Sequence, residues 1–121
     1  MPELSERDMI RLATCHVDLQ TIVIKVAERI PLMVVCGFRD KEKQDKAYSG
    51  GFTQVKWPNS LHNRERSMAV DLCPTNPVDW NDIDRFRVVA SYMWAEGLKN
   101  NIGLKWGGSF SFGDYGHFEL K

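Results

Sequence analysis

A chain of 121 residues that is 43% hydrophobic is sized for one compact domain with a real core, so residues 1–121 are expected to form a single unit. Sixteen basic residues balance sixteen acidic ones, and this zero net charge removes the usual electrostatic case for nucleic acid or an anionic membrane. No run reaches membrane-spanning length and the opening "MPELSERDMIRLA" has no apolar signal-peptide core, so a protein made and folded in the cytoplasm, without membrane insertion, is expected.

In chain order, Ser5 can cap a first short helix, with Asp8 three residues on in a capping-box position. Leu19, Ile22, Val23, Val26, Ala27 and Ile30 recur at helical spacing across residues 17–30, and Pro31 ends that helix. "LMVVCGF" (32–38) is a continuous apolar run closed by glycine, the pattern of a buried strand. The mixed charges of residues 40–48 suggest a short solvated helix ending at Gly50-Gly51. A loop punctuated by "WPN" follows, and then "MAVDLC" (68–73) reads as a strand, with Val70 and Leu72 on one face and Ala69, Asp71 and Cys73 on the other. Residues 82–99 form a second long helix whose inward set is Ile83, Phe86, Ala90, Met93, Trp94 and Leu98. The glycine- and aromatic-rich tail fits two short strands joined by a loop, with His117 and Glu119 on the face opposite Phe118 and Leu120. The sum is an α+β domain, helices packed on a small, mostly antiparallel sheet. Cys15, Cys36 and Cys73 are odd in number and lack CxxC spacing, which indicates reduced thiols.

Asp71 is the anomaly in this pattern. Aspartate suits a strand poorly, and burying its charge without a partner is costly. Asp71 and His117 each project from a strand on the face away from the core, and His62 lies in the loop leading into the first of those strands. Two histidines and one aspartate make a zinc triad with a fourth position left for water, the arrangement of catalytic rather than structural sites. Cys73 shares the Asp71 face and is a rival ligand, because zinc accepts thiolate readily. Asp114 lies three residues before His117, in "DYGH", where Gly113 and Gly116 permit a sharp turn. Glu119, on the His117 face, reads as a solvated group or as a partner of the metal ligands.

Three blocks in order, "GFRDKEKQ" (37–44), "SLHN…AVDLCP" (60–74) and "WGGSFSFGDYGHFEL" (106–120), resemble the signatures of the D-alanyl-D-alanine carboxypeptidase and dipeptidase family of zinc peptidases. Within it the chain is most similar to the phage endolysin branch, the L-alanyl-D-glutamate peptidases. The resemblance implies that Zn2+ is held by His62, Asp71 and His117, that Asp114 is the catalytic acid and base, and that Arg39 helps hold the substrate or its oxyanion. Ser60 and Gln44 match supporting positions. Eight residues, "NRERSMAV", separate His62 from Asp71 where the family pattern has six, which reads as a two-residue loop extension. The implied activity is cleavage of the peptidoglycan stem between L-alanine and D-glutamate by a monomeric phage lysin. Such a lysin waits in the host cytoplasm until lysis and then acts on the cell wall. Two alternatives stand beside it: a D,D-carboxypeptidase or dipeptidase on the same zinc site, and a non-catalytic wall-binding domain with a closed structural zinc, Cys73 being its fourth ligand.

Overall fold

In the computed structural model, which describes residues 3–121, helices α1 (Glu6–Leu12) and α2 (Val17–Ala27) precede strand β1 (Leu32–Cys36) and helix α3 (Lys41–Ser49). A 3-10 turn at Leu61–Asn63 leads into β2 (Ala69–Pro74), and the long helix α4 (Ile83–Lys99) follows. The chain ends with β3 (Leu104–Trp106), a 3-10 turn at Gly107–Ser109, and β4 (His117–Leu120). The four strands form one sheet in the order β1-β2-β4-β3, every neighbouring pair antiparallel. The expected α+β class is therefore the observed one.

Local chemistry explains the element boundaries. The Ser5 hydroxyl accepts from Asp8 N–H while the Asp8 side chain accepts from Ser5 N–H, so the capping box opens α1 as read from the sequence. The other Asp8 oxygen accepts from Val34 N–H, which ties this cap to the edge strand β1. His16 caps α2 through its ring, and Asp40 caps α3. Helix α2 ends at Ala27, three residues before the expected stop at Ile30, and that difference is a frayed last turn before Pro31.

One face of the sheet carries the core. Leu32 and Val34 of β1, Val70 and Leu72 of β2, and Phe118 and Leu120 of β4 meet Leu19, Ile22, Val23 and Val26 of α2 and Val89 and Met93 of α4. The inward set on α4 differs from the expected one: Phe86, Val89, Met93 and Gly97 are buried, whereas Trp94 and Leu98 are 53% and 69% exposed. The helix packs against α2 and buries the stripe containing Val89 and Gly97, Gly97 facing Ile102 and Leu104, which turns Trp94 and Leu98 outward although both residue types suit burial. The opposite sheet face is left for polar groups, and the loops after β1, before β2 and before β4 gather over it.

Candidate active site

Two paired strands and one loop turn bring the predicted metal ligands together. Asp71 of β2 lies directly opposite His117 of β4 in the antiparallel register, so both side chains leave the same face of the sheet. His62 reaches them from the 3-10 turn, whose start is fixed by the Ser60 hydroxyl accepting from His62 N–H and by Asn63 Oδ1 accepting from Ser60 N–H. With eight residues between them, His62 still reaches Asp71, Nε2 to Oδ1 3.3 Å. Residues 64–66 bulge outward as an exposed turn, with Arg66 at φ 56°, and the chain is anchored again at Ser67, which is fully buried and bridged to Cys15.

The ligand atoms form a nearly equilateral triangle. His62 Nε2 lies 3.3 Å from Asp71 Oδ1 and 3.3 Å from His117 Nδ1, and His117 Nδ1 lies 3.1 Å from Asp71 Oδ1. A tetrahedron with zinc–ligand bonds of about 2.0–2.1 Å has edges of about 3.3–3.4 Å, so the triangle has the dimensions of one zinc face. The outward nitrogens are engaged in the way such a site requires. His62 Nδ1–H donates to the Gly37 carbonyl at 2.8 Å, and His117 Nε2–H donates to Glu119 at 2.8 Å. Each bond fixes the tautomer that aims the other nitrogen's lone pair into the triangle. The residues present fit a zinc ion.

The electrostatics agree with the geometry. Burial alone would lower the pKa of His62, but the adjacent Asp71 charge and hydrogen bond outweigh it and raise the imidazole to about 10. His117 is raised for the same reason, against its burial, by the Asp71 carboxylate and then by Glu119. Burial would raise Asp71, yet the two facing imidazoles hold it well below the usual carboxylate range. This is a field that favours a cation at the centre of the triangle.

Asp114 lies beside this triangle: its Oδ2 is 4.0 Å from His117 Nδ1, and its side chain is 48% exposed. Burial, and then the negative charge of Asp71, raise its pKa above the usual carboxylate value. Two glycines place it. Gly113 has φ 61°, a backbone conformation that a side chain would strain, and a Cβ on Gly107 would come within 2.1 Å of the Asp114 carbonyl. Arg39 contacts the outer oxygen of Asp71 (Nη2 to Oδ2, 3.5 Å) and donates to Gln44 Oε1 at 2.9 Å. Gln44 is wholly buried, accepts also from Asn63 Nδ2, and donates to the Val55 carbonyl, so it holds the arginine and the His62 turn in one network. Arg39, His62, Asp71, Asp114 and His117 line a cleft of about 960 Å³, walled by Phe52, Phe110 and Phe112. The Phe110 ring packs 5.8 Å from His117.

Cys73, the rival ligand weighed from the sequence, does not reach the triangle. Cys73 shares the Asp71 face, but it lies two residues farther along β2, fully buried, with its thiol directed to the Pro74 carbonyl. The thiol beside the ligands is Cys36: its sulfur, a His62 nitrogen and an Asp71 oxygen all lie within 4.8 Å of one another. An irregularity in β1 pairing between Val34 and Cys36 puts it there, and strand alternation in the sequence gives no sign of it.

The family model of phage L-alanyl-D-glutamate peptidases matches residues 2–120. The chain belongs to that family. The peptidase also has the fold of a solved L-Ala D-Glu endopeptidase, ChiX from Serratia marcescens, with a TM-score of 0.82. The two are 24% identical, over 96% of this chain and 87% of that one. No curated protein sequence matches the peptidase significantly. Among its described residues no helix is long and apolar enough to cross a membrane.

Proposed function

We propose that this peptidase is a zinc-dependent endopeptidase that acts as a monomeric phage lysin, released from the host cytoplasm to cut peptidoglycan stems between L-alanine and D-glutamate. The single observation that carries the reading is the ligand triangle with zinc-face edges, found in a chain of the L-alanyl-D-glutamate peptidase family. His62, Asp71 and His117 would hold the ion, which when bound polarises the scissile carbonyl and acidifies water.

The chain's own residues divide the remaining tasks. Asp114, half exposed and with a raised pKa, accepts the attacking water's proton and later delivers it to the leaving amine. Its distance of 4.0 Å from His117 Nδ1 and its exposure support a place beside the reacting atoms rather than in the ligand set. Arg39, fixed by Gln44 and Asp71, presents its guanidinium at the cleft wall, where it can stabilise the oxyanion or hold a stem carboxylate. Glu119 keeps the His117 ring aligned, and Ser60 sets the turn that carries His62. Phe110 and Phe112 exclude water from one side of the cleft.

The test is mass spectrometry of fragments released from purified peptidoglycan. Expected are stem peptides beginning with D-glutamate and L-alanine left on the glycan strand, with activity abolished by chelation and restored by Zn2+. Release of terminal D-alanine instead would establish the carboxypeptidase alternative, and activity that survives complete metal removal would refute the zinc mechanism.

A further inference from the structure

Cys36 reaches the ligand cluster through a break in strand alternation. β1 and β2 pair regularly at Leu32↔Pro74, Met33↔Cys73 and Val34↔Leu72, and then Cys36, not Val35, stands opposite Asp71. In an uninterrupted strand Cys36 would share the core face with Leu32 and Val34. The extra residue is a β-bulge, and it turns the thiol onto the face that carries Asp71. There Cys36 is half-buried and lines the cleft, whereas Cys15 and Cys73 are fully buried.

Beside the triangle of His62, Asp71 and His117, two further metal-capable groups share Asp71. One is Cys36, His62 and Asp71, and the other is Asp71, Asp114 and His117, each with its ligand atoms within 4.8 Å of one another. Cys36 thus flanks the His62–Asp71 edge of the triangle, while Asp114 flanks the Asp71–His117 edge. We propose that Cys36, His62 and Asp71 form an alternative, sulfur-containing site for soft divalent cations, and that filling it displaces the catalytic ion. The selectivity follows from ligand chemistry, because thiolate favours soft cations, whereas two imidazoles and a carboxylate suit zinc. The exclusion follows from the sharing of ligands: His62 and Asp71 belong to both sets, so one ion at a time can be held. The inhibitory consequence rests on the proposed zinc site, but the sulfur-containing site itself does not.

Cadmium is the probe. Zinc-loaded wild-type protein is titrated with Cd2+ while near-ultraviolet thiolate-to-cadmium absorption and released zinc are followed together. The expected result is an absorption change that saturates at one Cd2+ per chain with parallel release of zinc. In Cys36→Ser, the change is absent and Cd2+ binds at least about tenfold more weakly. Alkylation of wild-type Cys36, mapped by mass spectrometry, should also slow about tenfold or more once Cd2+ is bound, a readout that needs no variant. The proposal is overturned if stoichiometric Cd2+ gives no thiolate absorption, if the absorption persists in Cys36→Ser, or if alkylation of Cys36 is unchanged. Wild-type protein that took up no zinc but gave the cadmium signal would refute the catalytic-site reading and leave this site standing.

Discussion

Zinc and protons should compete for the same nitrogens, and the structure fixes the direction and steepness of that competition. In metal-free protein His62 titrates near 10, so at neutral pH its imidazole is protonated and must release that proton to bind a cation. His117 is shifted the same way, and Asp71 stays ionised throughout. Zinc affinity therefore rises with pH, about tenfold per pH unit for one displaced proton, equivalent to about 1.4 kcal/mol per unit. From about pH 6 to about pH 8 the apparent Kd should tighten about a hundredfold, and more if His117 also loses a proton. The linkage has the opposite sign for the metal-free fold. A raised histidine pKa contributes stability that is complete below the unfolded value of about 6.5 and is lost as pH climbs through about 10. Calorimetric zinc titrations in buffers of different ionisation enthalpy would measure the protons released, with at least one per ion expected at pH 7. Asp71→Asn removes the charge that raises both histidines, so it should weaken zinc binding and also reduce proton release below one. Affinity independent of pH over this range, with no proton released, would refute the electrostatic account of the triangle.

Asp114→Asn should retain stoichiometric zinc and the wild-type melting temperature while turnover falls by about 10²-fold or more, as measured by fragment release from peptidoglycan. Loss of zinc in that variant would instead make Asp114 a ligand. Glu119→Gln keeps the size of the partner but removes the carboxylate that accepts from His117, so zinc affinity or activity should drop by about 10–100-fold. An unchanged zinc titration together with unchanged turnover would show that the His117 orientation does not depend on that charge.

The features that depend on local pattern were legible in the chain. Period-two alternation placed Asp71 and His117 on the faces opposite Val70, Leu72, Phe118 and Leu120, and the observed register sets the two ligands side by side. Capping chemistry located the start of α1, and the three sequence blocks pointed to His62, which the structure brings to 3.3 Å from His117 despite the longer spacing to Asp71. Tertiary structure alone decided which surface of α4 meets α2, because Met93, Trp94 and Leu98 are equally apolar and only packing selects among them. It also decided which cysteine stands at the site. Strand alternation assigns Cys73 to the Asp71 face and Cys36 to the core, but one unpaired residue in β1 reverses the second assignment. A bulge arises where two strands must reconcile their lengths and twist, a constraint between segments some thirty-five residues apart, and no local pattern encodes it.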